Sequence, residues 1–99
     1  MKKYFISRHQ AAINWSLLMG LGIDEFLSHC TDTSAFKAGD CVYGNLPLHL
    51  VEQLCINGVR YYNLNIDIPA TLRGKELTND EFLLSQPILV EYHLQRIRK

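Results

Sequence analysis

Residues 5–15 read FISRHQAAINW, and within them a strand-like pattern changes into a helical one. The short apolar run over 4–6 is typical of a strand buried on both faces. From about residue 10 to residue 19 apolar side chains recur at helical spacing, and glycines then favour an end to the helix. Ser7-Arg8-His9 forms the polar tip between the two segments. Many α/β domains carry a glycine-rich turn at such a junction, whereas this tip offers hydroxyl, guanidinium and imidazole groups.

Strand-like and helical segments continue to alternate along the chain. The clearest strand covers 61–68, where apolar and polar side chains alternate and Pro69 follows. Asn45 is a candidate N-cap for a helix that starts near Pro47 and ends at about Gly58. A capping-box spacing over 78–81 predicts a short helix that ends at about residue 85. Further strands are predicted over 25–30, 41–43 and 88–97, and a surface loop over 31–40.

The resulting order, β-α-β-β-α-β-α-β, predicts an α/β fold with a mainly parallel sheet and helices on both faces, in three layers. The last strand is expected at an edge of the sheet or at a dimer interface. The chain has 99 residues and 47% hydrophobic content, which predicts a single domain over 1–99 with a substantial core.

Composition limits the partners that the protein can have. Ten basic residues balance ten acidic ones, so the chain lacks the basic surplus expected for holding long DNA or RNA. A small anionic ligand held by a few local charges remains compatible with this balance. The three cysteines show no zinc-ligand spacing and are expected to be free thiols in a reducing cytoplasm. No apolar stretch is long enough to cross a membrane, so a cytoplasmic protein without a membrane partner is predicted.

Ligands of open α/β sheets bind beyond the carboxyl ends of the strands. Three polar tips fall there: Ser7-Arg8-His9, Gly44-Asn45 and the segment from Asp67 to Arg73. Arginine suits phosphate, histidine transfers protons near neutral pH, and a helix N-terminus favours an anion. Each tip also has an ordinary interpretation, as a surface turn, a helix cap or the solvent face of a strand.

Several well-known chemical motifs are missing from the sequence. There is no phosphate-binding glycine loop, nucleophile elbow or HExxH motif, so neither metal-dependent nor acyl-transfer chemistry has support, and no cofactor is predicted. His49 ranks below His9 as a functional residue, and His29 and His93 are expected to be structural or exposed.

Three segments together resemble a known family: FISRHQAAINW (5–15), AGDCVYGNLPLHLVEQLC (38–55), and RYYNLNIDIP (60–69) followed by LRGKEL (72–77). The chain is similar over about 3–84 to small Csx-type CRISPR-associated accessory proteins of type III CRISPR systems. This resemblance implies a compact Rossmann-like fold, related to the CARF domains that sense cyclic oligoadenylate, and a homodimer with the ligand across its two-fold axis.

The resemblance also implies a function, namely that of a ring nuclease. Such an enzyme linearises cyclic tetra-adenylate without a metal, because a ribose 2′-hydroxyl attacks the neighbouring phosphodiester. In that interpretation Arg8 stabilises the phosphoryl charge and His9 transfers a proton. The predicted substrate-binding residues are Ser7, Gly44, Asn45, Asp67 and Arg73. Two alternatives stay open: a sponge or sensor that binds cyclic oligoadenylate without cutting it, and a nucleotide-binding or structural subunit of a larger complex.

Overall fold

The computed structural model describes residues 1–68 and 70–97, which form a five-stranded sheet with helices on both faces. Its elements in chain order are β1 (Lys3–Ile6), α1 (Gln10–Leu18), β2 (Glu25–Leu27), β3 (Cys41–Gly44), α2 (Leu48–Ile56), β4 (Arg60–Asn65), a 3₁₀ turn (Ala70–Leu72), α3 (Asn79–Leu84) and β5 (Ile88–Tyr92). The predicted α/β class, with its mainly parallel sheet, is therefore confirmed and agrees with a Rossmann-like fold.

The strands lie in the order β2-β1-β3-β4-β5. The first three contacts in this order are parallel, and only β5 runs antiparallel to its neighbour β4. Ile6 at the end of β1 pairs with Leu27 on one side and with Gly44 on the other. The chain passes from β1 to β2 on one side and then crosses to β3 on the other, so the strand order reverses at β1. Doubly wound sheets bind ligands in the crevice beyond the carboxyl end of such a strand.

Two apolar cores cover the two faces of the sheet. On one face α1 and α3 pack on Phe5, Tyr43 and Leu64 of the sheet, and Trp15 of α1 contacts Phe82 of α3 edge-on at 6.1 Å between ring centroids. On the other face α2 and the loop over 28–40 pack on a second cluster of buried residues. This cluster comprises Tyr4, Ile6, Phe36, Val42, Val51, Leu54, Val59 and Tyr61.

Three of the strands end earlier than the sequence predicts. The predictions of strands over 25–30, 61–68 and 88–97 were wrong in length, since these strands end at Leu27, Asn65 and Tyr92. Beyond Leu27, Ser28 contacts His29 and the Cys30 thiol donates to the Asp32 carbonyl, and beyond Asn65 the Asp67 N–H donates to the Ser85 carbonyl, so these bonds replace the ladder of the sheet. Pro69, expected to end the fourth strand, lies outside the described residues.

Asp40 ties the N-terminal segment to the sheet just before β3. One carboxylate oxygen accepts the Lys2 N–H at 2.9 Å, and the other accepts the Lys37 N–H at 2.9 Å. These backbone hydrogen bonds, with that of Lys37 the stronger, hold the pKa of Asp40 below its ordinary value, because they favour the ionised form.

Candidate functional site

A cavity of about 660 Å³ lies beyond the carboxyl ends of β1, β2, β3 and β4. Segments from four places in the sequence meet around it, as the parallel pairing of the strands requires. Its lining residues are Ile6, Ser7, Arg8, His9, Ser28, His29, Cys30, Asn45, Leu46, Pro47 and Ile66. The predicted site residues Ser7, Arg8, His9 and Asn45 are thus brought together.

The turn between β1 and α1 is held by the Ser7 hydroxyl. Ser7 Oγ accepts the His9 N–H at 3.1 Å, and the Ser7 N–H donates to the carbonyl of Leu27 at 2.9 Å. The carbonyl of His9 accepts the N–H groups of Ala12 and Ile13, so His9 is the first residue of the helical hydrogen-bond pattern. Ser7 therefore fixes the turn, and α1 begins at the cavity with the partial positive charge of its N-terminus.

The side chains of Arg8 and His9 are exposed to solvent. The imidazole is 67% exposed, and its Nδ1 lies 3.6 Å from Oε1 of Glu76, which belongs to the loop between the 3₁₀ turn and α3. Arg8 has no salt bridge to a carboxylate among the described residues. Its guanidinium is therefore available to a ligand.

The turn after β3, Asn45-Leu46-Pro47, forms one wall of the cavity. Asn45 belongs to this wall but does not cap α2. The predicted N-cap role was wrong, because α2 starts at Leu48 and Pro47 occupies the N-cap position, where its carbonyl accepts the N–H groups of Leu50 and Val51. Asn45 Nδ2 donates instead to the carbonyl of Leu64 at 2.7 Å. This bond ties the turn after β3 to β4 and leaves Asn45 Oδ1 as an acceptor at the cavity.

A buried tyrosine of β4, Tyr61, holds the same wall through hydrogen bonds. The Tyr61 hydroxyl accepts the Leu46 N–H at 2.9 Å and lies 2.9 Å from the Gly44 carbonyl and 2.6 Å from Asn63 Oδ1, the two acceptors for its single proton. Asn63 then donates to Asn65 at 2.6 Å. Asn63 and Asn65 therefore belong to a hydrogen-bond network under the turn.

The segment after β2 forms a wall that the sequence did not predict. Ser28, His29 and Cys30 all line the cavity, and Ser28 Oγ lies 3.1 Å from His29 Nδ1. Burial raises the pKa of the Cys30 thiol, as does the nearby Asp32 carboxylate, so the thiol stays protonated at neutral pH. The signal that could have found His29 was its position two residues beyond a strand parallel to β1.

Three other predicted site residues are not part of the cavity lining. Gly44 is buried in β3, where a Cβ would lie 2.6 Å from the Ile6 carbonyl oxygen, so glycine is needed for close packing of the strands. The Asp67 N–H donates to the carbonyl of Ser85 at 2.7 Å. Arg73 Nε donates to the carbonyl of Ile68 at 3.5 Å, near the limit of a hydrogen bond. Roles for these residues in binding remain predictions.

The lining residues favour an anion over a cation. One permanent cation, two imidazoles, two serine hydroxyls and an amide surround the cavity, and none of its lining residues is acidic. Over 1–68 and 70–97 no group of three or more His, Cys, Asp and Glu residues is arranged to hold a metal ion. Within the same ranges no helix has the length and apolar character needed to span a bilayer.

Residues 4–95 match the protein family described as "Putative CRISPR-associated protein (Cas_VVA1548)". Since the match extends over most of the 99 residues, the chain belongs to this family. No match was found among curated proteins or among solved structures. The expected relationship to CRISPR-associated proteins is confirmed at this level, and the Csx subtype and type III system stay predictions.

Proposed function

We propose, from its membership of this CRISPR-associated family, that the protein is a ring nuclease that binds and linearises cyclic oligoadenylate, with cyclic tetra-adenylate as its substrate. Ring opening would switch off type III CRISPR antiviral signalling. One observation carries the proposal: the crevice beyond β1 brings Arg8, His9 and the start of α1 into a 660 Å³ cavity whose lining has no acidic side chain. Such a cavity is suited to a phosphodiester.

The proposed reaction needs no external nucleophile. The ribose 2′-oxygen attacks the adjacent phosphorus, the bond from phosphorus to the 5′-oxygen breaks, and the products are a 2′,3′-cyclic phosphate and a 5′-hydroxyl. Negative charge increases on the phosphoryl oxygens in the transition state, where the Arg8 guanidinium donates hydrogen bonds. His9 transfers one of the two protons that the reaction moves. Ser7 keeps the turn in place, and Asn45 accepts a hydrogen bond from the substrate.

We propose that two copies of the chain share one ring. A ring of four nucleotides carries four phosphates, whereas the cavity of one chain has one permanent cation, Arg8. A two-fold symmetric dimer would supply each group twice to a ligand that itself has two-fold symmetry. Asp67 and the Arg73 loop, which do not line the cavity of their own chain, are then available to contact a ring that extends beyond it.

The test is incubation of the protein with cyclic tri-, tetra- and hexa-adenylate in EDTA, followed by chromatography of the products. We expect the tetra-adenylate ring to be converted, in excess over protein, into a linear species with a 2′,3′-cyclic phosphate. An intact ring with every substrate would overturn the ring-nuclease proposal. Cleavage that EDTA abolishes would overturn the metal-independent mechanism.

A sponge is the second candidate, and the exposure of His9 favours it. In one chain the His9 imidazole is 67% exposed, and within 1–68 and 70–97 its one ionic contact is the Glu76 carboxylate at 3.6 Å. Arg8 and the start of α1 suffice for binding. The two functions separate when ligand exceeds protein, because a sponge leaves the excess intact. In addition, His9→Ala would abolish turnover by an enzyme and leave the capacity of a sponge unchanged.

A further inference from the structure

His29 lies at the same cavity as His9, on the strand tip beside it. Ile6 and Leu27 are paired in the parallel ladder of β1 and β2, and the Ser7 N–H bonds the Leu27 carbonyl. His29 follows Leu27 by two residues and His9 follows Ile6 by three, so both lie just beyond the carboxyl ends of neighbouring strands, which are about 4.8 Å apart. Both imidazoles line the cavity.

Metal-free cleavage by a 2′-hydroxyl requires two proton transfers. A base removes the proton of the 2′-hydroxyl, and an acid protonates the 5′-oxygen as it leaves. Because attack and departure occur in line on opposite sides of phosphorus, one side chain does not reach both oxygens at once. A site with a single histidine would leave one transfer to water.

We propose that His29 is the general acid of this site and that His9 is the general base, an inference that rests on the ring-nuclease function proposed above. The Glu76 carboxylate, 3.6 Å from His9 Nδ1, favours a proton on that nitrogen and leaves Nε2 as the acceptor for the 2′-hydroxyl proton. His29 Nδ1 contacts Ser28 Oγ, a neutral group, and in the proposed step Nε2 gives its proton to the 5′-oxygen.

The step balances without another reactant. The bond from the 2′-oxygen to phosphorus forms as its proton moves to His9, and the bond from phosphorus to the 5′-oxygen breaks as His29 gives up a proton. One imidazole gains the proton that the other loses, and exchange with solvent resets both. The net change is a transesterification with no oxidation and no water consumed.

Other groups at the cavity fit the acid role less well. The titratable and charged groups that line it with His29 are Arg8, His9 and Cys30. Arginine does not lose its proton at working pH, and the Cys30 thiol donates to the Asp32 carbonyl at 3.0 Å. His93 lines different cavities, beside α2 and β5, and is therefore a matched control.

The experiment measures single-turnover cleavage of cyclic tetra-adenylate in EDTA by wild type, His9→Ala, His29→Ala, His29→Gln and His93→Ala, together with ring affinity. We expect His29→Ala and His29→Gln to cleave at least about 100-fold more slowly, with affinity within about 3-fold because the phosphate contacts of Arg8 remain. His93→Ala should match wild type. His29→Gln keeps a polar group beside Ser28, so a loss shared by both variants is chemical rather than structural.

Two readouts distinguish an acid from a structural residue. The wild-type rate should fall at low pH, where the base is protonated, and at high pH, where the acid is deprotonated. His29→Ala should lose the high-pH decrease, and His9→Ala the low-pH decrease. A ring with sulfur in place of the bridging 5′-oxygen has a leaving group that needs no proton, so it should restore the rate of His29→Ala and not that of His9→Ala.

The outcomes separate this inference from the proposed function. A wild-type protein that leaves every ring intact overturns both. An active wild type whose His29 variants behave like His93→Ala overturns the role of His29 and leaves the ring nuclease standing. Two results overturn the assignment of acid and base. One is a cleavage rate of His9→Ala that the sulfur substrate restores, and the other is a His29→Ala rate that still falls at both low and high pH.

Discussion

Replacing Tyr61 with phenylalanine tests how the cavity wall is supported. Tyr61 is 2% exposed, and its hydroxyl accepts the Leu46 N–H and donates to one of two nearby oxygens. Tyr61→Phe removes both hydrogen bonds and leaves the Leu46 N–H without its partner. Each lost bond costs about 1 kcal/mol and an unpaired, partly buried donor adds to this, so we expect a loss of about 2 kcal/mol.

Urea denaturation followed by circular dichroism measures this loss. With a slope of about 2 kcal/mol/M, the midpoint should fall by about 1 M while the slope stays unchanged. Tyr43→Phe is the matched control, since Tyr43 is also buried in the sheet and none of the described hydrogen bonds uses its hydroxyl. Equal midpoints for the two variants would refute the idea that the Tyr61 hydroxyl holds the wall.

Four further substitutions test other parts of the structure. Arg8→Ala should slow ring opening at least about 100-fold, and near wild-type turnover would remove its role in charge stabilisation. Because the pKa of Asp40 is lowered, its stabilisation is complete above the unfolded value and lost as pH falls below about 4. Asp40→Asn should therefore be less stable by about 1–2 kcal/mol at pH 7 and lose stability less steeply in acid; an unchanged acid slope would contradict this. Gly44→Ala should lower the free energy of unfolding by about 2–3 kcal/mol, because its Cβ would lie 2.6 Å from the Ile6 carbonyl oxygen. Gly74→Ala is the control and should cost about 1 kcal/mol, because Gly74 has a positive φ but open surroundings. Equal losses would show that the close approach at Gly44 is not the cause. Thr78→Ala should remove the capping box of α3 and lower stability by about 1 kcal/mol, and an unchanged melting temperature would count against it.

The sequence predicts the part of the site that local pattern determines. Ser7-Arg8-His9 could be placed at a strand tip because the periodicity changes from strand to helix within a few residues. Parallel order then placed the turn after β3 at the same edge. These inferences need only the sequence neighbours of each residue and the rule that parallel strands end together.

The parts that failed depend on contacts between distant segments. Asn45 was predicted as a cap from local chemistry, whereas the bond that it makes is to Leu64 on the next strand. His29 carried no local signal, because β2 has three residues and an irregular segment follows it. Only the pairing of β2 with β1 brings His29 to the cavity. The binding role of Arg73, which stays a prediction, depends in the same way on where its loop packs.

The cavity wall consists mostly of side chains that contribute little to the core. Arg8, His9, Ser28, His29 and Pro47 are all exposed, while the buried sheet beneath them keeps its own packing. Substitutions at such positions usually change stability by less than about 0.5 kcal/mol. Mutation can therefore change the ligand or the chemistry at this edge one loop at a time, with almost no penalty in folding, and sequences that share this framework are free to diverge in what they bind.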